Sequence, residues 1–302
     1  MMEIQFDREN REGYFHPFYA DSLSEWATPL YLPHSQGWVL ERSIPDSSFL
    51  DVMGLYPRFV CQNWELFAQD LAELKEKYVC FSLVTDAFNP PPYSFQADVY
   101  RLFKHHFIVD LTVPLHQIIS PHHLHYAQKA LTQVQVEQCQ NPLEWLDEWI
   151  KLYHHLITYR QLKGLSVFSS VAFKKQFQVP GLIVLRATYE EETVGMHLWY
   201  SHEKRAYSHL AAFNQTGYSL MASYALYYWA MDYFAKQGYQ CLDLGAGAGL
   251  HDHKNGLSWF KKGWSNQILP VYLCGWIFQP LLYQQLSEHV MYPLEDFFPR
   301  YR

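Results

Sequence analysis

"CLDLGAGAGLHDHKNGLSWFKKGW", residues 241–264, is the stretch on which the fold turns. Asp243, Gly245, Gly247 and Gly249 stand at two-residue spacing after a short apolar run, which suits a nucleotide loop holding S-adenosylmethionine. That reading needs an acidic residue about 20 positions on to take the ribose hydroxyls, and none occurs between Asp252 and Glu288. The loop also continues into HDHKN rather than straight into a helix, so no helix N-terminus faces the glycines to hold a phosphate. The glycines read instead as small residues at a strand end, where a backbone or ligand can come close. S-adenosylmethionine is not an expected ligand.

Upstream, the periodicities change in a definite order. VQVEQC (134–139) alternates as a strand, and Asn141-Pro142 opens a helix with Trp145, Trp149, Leu152 and Leu156 on one face. A short helix follows from Ser169-Ser170. Three strands, 182–189, 193–200 and 205–213, are separated by polar turns and form an antiparallel meander. Residues 217–238 are apolar nearly all round and end at Gly238, as a buried helix does. The strand YQCLDLG, a short helix at 255–263 and a strand at 267–275 complete the order β-α-α-β-β-β-α-β-α-β.

The first half reads as a worn copy. A helix at 63–77 leads to the strand YVCFSLVTD, a Pro-rich loop, a helix DVYRLFKHHF and a strand IVDLT. Tyr78/Cys80 align with Tyr239/Cys241, and Phe103-Lys104 with Phe260-Lys261, which suggests duplication.

Composition narrows the function. The chain has 302 residues, 49% hydrophobic and 18% aromatic, long for one core. A net charge of −7 without a Lys/Arg run argues against a general DNA-binding surface. Five scattered cysteines (Cys61, Cys80, Cys139, Cys241, Cys274) suggest reduced thiols rather than a disulfide framework or zinc site. The charged start and the lack of a long apolar run lead us to expect a cytoplasmic protein with no membrane span. The aromatic content is compatible with a homodimer.

This element order, with NQTGYS (214–219) between the third meander strand and the long helix, resembles the GNAT acyltransferase superfamily, and GLSWFKKGW resembles the G-L-x-x-F-K-x-x-[FW] ending of Fem-type peptidyltransferases. The resemblance implies an α/β fold of tandem GNAT-like domains, with mixed, largely antiparallel sheets and flanking helices. A degenerate N-terminal domain is expected at 1–118 and the acyltransferase domain at 119–302. It also implies that a Q/R-x-x-G-x-G/A turn binds the pyrophosphate of acyl-CoA and that the thioester lies where the fourth and fifth strands splay apart. Here that turn maps to Phe213, Asn214, Gly217, Tyr218, Ser219 and Leu220, with Asn in place of Gln/Arg and Ser in place of the last Gly.

The implied reaction moves an acyl group from acyl-CoA or an acyl-carrier thioester, a co-substrate rather than a permanently bound cofactor, to an amine of a small molecule or peptide. The alternatives are an aminoacyl-tRNA-dependent Fem-type peptidyltransferase, disfavoured by the charge, and a non-catalytic GNAT-like binding module. Amide formation needs a proton acceptor and an oxyanion donor. On the third meander strand Tyr207, His209, Ala211 and Phe213 are expected to share one face, with His209 as the candidate base. Asp243, mid-strand in an apolar run, must be paired, protonated or facing a wet cleft. His197 supports either. Lys261 and Lys262 read as the solvated face of a short helix that could reach a phosphate. His122, His123, His125, His251 and His253 lack the partners of a metal site, and none is expected.

Overall fold

The computed structural model describes residues 11–92, 96–247, 256–288 and 297–302. The chain forms two compact units, each made of two segments. One unit comprises Tyr19–Lys104 and Pro270–Arg302, and the other runs up to Phe18 and over His105–Leu269. The cut expected between 118 and 119 falls inside the second of these. The chain changes unit inside the helix Pro17–Asp21 and inside the strands Val99–Asp110 and Gln267–Ile277, where sequence composition carries no boundary signal.

In the Tyr19–Lys104 unit, β1 (Thr28–Leu32), β2 (Gly37–Ser43) and β3 (Leu50–Gly54) form an antiparallel meander. The helix Phe67–Lys75 then leads to β4 (Cys80–Val84), which lies parallel to β3. Leu273–Ile277 pairs antiparallel with β4. Phe59, Phe67, Phe81 and Trp276 make its aromatic core.

The other unit repeats this plan. It contains the end of β5 (Val99–Asp110), then β6 (Gln135–Gln138), β7 (Leu182–Tyr189), β8 (Glu192–His202), β9 (Arg205–Phe213) and β10 (Cys241–Asp243). β6 to β9 pair antiparallel in sequence, β10 runs parallel to β9, and β5 closes on β10 antiparallel. Three meander strands, a helix and a parallel fourth strand thus occur twice, with Cys80 and Cys241 each opening the parallel strand. The Phe-Lys match does not survive: Phe103-Lys104 lies in β5, and Phe260-Lys261 in the helix Gly256–Lys262.

Each face of this sheet is covered. His197 and Trp199 point to the buried helix Ala222–Lys236, meeting Tyr227 and Phe234. Tyr200 points the other way, to Tyr14 and the carbonyl of Gln176, where the helices Leu146–Arg160 and Ser170–Gln176 pack Trp149, Tyr153 and Phe173 together. The second of these helices is capped by Ser169, whose hydroxyl accepts from the Ala172 amide.

Three local expectations fail for physical reasons. Residues 99–107 of DVYRLFKHHF are part of β5, where exposure alternates over 99–103 and aromatic residues favour a pleated surface. The helix expected at 217–238 is two, Gln215–Ser219 and Ala222–Lys236, broken by Met221 in the left-handed region at φ 58°. In β9 the pairing skips from Leu198↔Leu210 to Trp199↔Ser208, a bulge at His209. One extra residue reverses the side on which the following side chains emerge. Tyr207 and His209 therefore share one face, and Ala211 and Phe213 lie on the other.

Gly217 is the tightest point of the Asn214 turn: a Cβ there would sit 2.0 Å from the Val194 carbonyl oxygen. Gly217→Ala is expected to cost about 2–3 kcal/mol and lower the melting temperature by several degrees. Gly256→Ala, with nothing within 4 Å, should leave it unchanged in the same thermal scan.

Candidate functional site

The last complete row across the strands is Tyr207, Asp243 and Ile108, on β9, β10 and β5. Beyond it β10 ends while β9 continues to Phe213, and the departing chain stays with β5. The Leu244 amide donates to the Phe107 carbonyl at 2.9 Å, and the Phe107 amide to that of Gly245 at 3.1 Å. β9 and β10 therefore part at this row. Counting on from it, His209 of the bulge and His106 of β5 flank Gly245, whose φ of +73° suits a residue without a Cβ.

Asp243 has no solvent exposure. Its carboxylate accepts the Gly245 amide at 2.6 Å and the Nδ1–H of His106, at 2.9 and 3.1 Å to its two oxygens. It is thus paired, and too enclosed to meet a substrate directly. His106 was not singled out by the sequence; two histidines in a row in a stretch with a helical reading gave no sign that one of them would meet a carboxylate 137 positions away.

His209 lies between Tyr14 and Gln176, with Nδ1 3.0 Å from the Tyr14 hydroxyl and Nε2 3.2 Å from Gln176 Oε1. The amide oxygen can only accept, so Nε2 carries the ring proton and Nδ1 accepts from the Tyr14 hydroxyl. With both nitrogens engaged, the ring suits a residue that holds its neighbours in place better than a free base. Tyr14 also meets Tyr200 and Tyr207 edge-on.

His197 is on the opposite face and fully enclosed. Its Nε2 is 2.8 Å from the Ser208 hydroxyl, and its ring packs on Trp199 and Tyr227. Burial, assisted by the charge of Lys261, pushes its pKa down to about 3, so it is neutral and out of a substrate's reach. Lys261 is not on a solvated face. Its ammonium donates to the Ala246 carbonyl at 2.6 Å and would lie 3.3 Å from a Cβ on Gly245. His123 pins that helix, with its Nε2 2.9 Å from the Phe260 carbonyl and Gly263 pressed against its ring.

The expected phosphate turn has a different use for its amides. Gly217 N–H donates to the Asn214 side chain at 2.8 Å, Tyr218 N–H to the Asn214 carbonyl, and Leu220 N–H to Thr216. The Ser219 hydroxyl donates to the Gln215 carbonyl, and the Phe213 carbonyl accepts from His155. The amides of Gly217, Tyr218 and Leu220 are therefore not turned to a ligand. Beside the turn, Arg160 stands over the Tyr159 ring at 5.0 Å, and that ring packs on Tyr218 at 5.2 Å.

Gly249, His251, Asp252 and His253 lie outside the described residues. Among the described residues no group of three or more His, Cys, Asp or Glu side chains could hold a metal, and no helix is long and apolar enough to cross a membrane.

Residues 127–255 match the family described as Acetyltransferase (GNAT) domain. The fold is that of the GNAT/Fem-like superfamily. FemX is 11% identical with a TM-score of 0.64, covering 94% of this chain and 97% of that one. The C-terminal domain of a putative lysylphosphatidylglycerol synthetase from Agrobacterium fabrum is 11% identical at a TM-score of 0.64, covering 90% of each chain. L-PGS from Bacillus licheniformis is 16% identical at 0.57, covering 87% of this chain and 93% of that one. At these identities the solved structures speak for the fold alone. No curated protein matches the sequence. The GNAT match supports a transferase.

The neutral state of His197 has a measurable consequence. Its folded pKa, about 3, is below the unfolded value of about 6.5, so the unfolded chain takes a proton that the folded one refuses. Its contribution to stability is full above pH 6.5 and lost as pH falls toward 3. In urea titrations between pH 6 and 4, His197→Gln should flatten the fall of unfolding free energy by up to about 1.4 kcal/mol per pH unit.

Proposed function

We propose that the protein is an N-acyltransferase that moves an acyl group from a thioester, acyl-CoA or acyl-carrier, to an amine of a small molecule or peptide. The observation that carries this is the parting of β9 from β10 after Tyr207 and Asp243, with a bulge at His209. In the GNAT resemblance these are the fourth and fifth strands, between which a thioester lies. A strand that loses its partner turns backbone hydrogen-bonding groups into the gap, where they can meet an acyl carbonyl.

Lys261 supplies positive charge at the same strand end, where the thioester carbonyl develops negative charge during attack. With the amides of the Asn214 turn spent internally, Arg160 and the Tyr218 ring are the groups beside it that suit a phosphate-bearing donor. A thioester is preferred over charged tRNA because the net charge is −7 and the sequence has no clustered Lys/Arg to meet a polynucleotide.

Short and long acyl-CoAs and, separately, bulk charged tRNA test this by melting shift and by thiol release with a panel of amines. A thioester at about 100 times its dissociation constant should stabilise the protein by about 2.7 kcal/mol, and a matching amine should release CoA. Binding of tRNA at physiological salt, with no shift from any CoA thioester, would reverse the choice of donor.

A further inference from the structure

We propose that His106 is the catalytic base of this site and that Asp243 positions it; the proposal rests on the acyl-transfer reading above. The geometry has three parts. Asp243 is fully enclosed and accepts the Gly245 amide, so its charge is held at the strand end, where it can act only through a neighbour. His106 gives its Nδ1–H to both carboxylate oxygens. Its side chain keeps 12% exposure, and among the described residues its Nε2 has no hydrogen-bond partner.

A carboxylate on Nδ1 fixes the tautomer with the lone pair on Nε2 and stabilises the imidazolium that forms when that nitrogen takes a proton. Pairing also fixes where this nitrogen stands. Asp243 is opposite Ile108, so His106, two residues along β5, lies on the same sheet face, beside the chain that leaves β9. His209, with both nitrogens engaged, is placed as the opposite wall.

In the step proposed, the amine nitrogen attacks the thioester carbonyl carbon and forms the C–N bond. The carbonyl π electrons move to oxygen and return as the C–S bond breaks. The proton lost by the amine passes to His106 Nε2, and the imidazolium returns it to the departing thiolate. An amide and a thiol result, and no other reactant is consumed.

The first test needs no substrate. Long-range 1H–15N spectra of the wild-type protein near pH 8 should show His106 as the Nδ1–H tautomer, and Asp243→Asn should abolish that preference. An Nε2–H tautomer in the wild type overturns the proposal. The second uses the acyl-CoA and amine pair found by thiol release. His106→Asn, whose amide can still donate to Asp243, should fold and melt as the wild type does. It should lose 10²- to 10⁴-fold in turnover with little change in KM, a loss on the order of that for a general base. Added imidazole should restore part of the turnover of His106→Ala, and a purely structural role would not produce that rescue. If the wild type turns over and His106→Asn keeps full activity, His106 is not the base although the acyl-transfer reading stands. If no thioester and amine pair turns over in the wild type, that reading fails and the proposal falls with it.

Discussion

A carboxylate shut away from water at the end of a three-residue strand organises the site. Burying an ionised group without partners costs many kcal/mol, so Asp243 obliges its surroundings to supply donors. Gly245 folds its amide back onto one oxygen, and His106 reaches across from β5 to both. These two bonds keep the departing chain with β5 rather than β9, and the gap between β9 and β10 begins where the carboxylate has been satisfied. Lys261 tightens the same corner by holding the Ala246 carbonyl from the other side of the sheet.

The two faces of the sheet have different tasks. The face toward Ala222–Lys236 is packed closely enough to keep His197 neutral and to push the Tyr227 hydroxyl up to about 12. The opposite face brings Tyr14, Tyr207, His209 and Gln176 into contact through hydroxyl, imidazole and amide groups. The bulge at His209 divides these roles: Tyr207 and His209 keep the Tyr14 face, while Ala211 and Phe213 beyond it turn toward the long helix.

Much of the framework was legible in the sequence. β7 and β9 have the expected bounds, Ser169 caps its helix, Asn141-Pro142 opens the 3-10 turn that leads into Leu146–Arg160, and the Tyr-x-Cys pairs mark the parallel strand of both repeats. These features depend on alternation, capping and turn residues, which act between neighbours in the chain. The burial of Asp243 is local in the same sense, since its apolar flanks announce it.

What the tertiary structure alone decided is which groups meet. That His106 pairs with Asp243 follows from strand register, and that His209 is bracketed by Tyr14 and Gln176 and Lys261 turns inward to Ala246 follows from helical segments packed on the strands. The bulge and the left-handed Met221 were equally invisible, since each is imposed on ordinary residues by the packing around them. Local periodicity determines that a strand or helix forms and which side is apolar. A register shift of one residue changes every pairing and every face beyond it, and that register is set only when the sheet assembles.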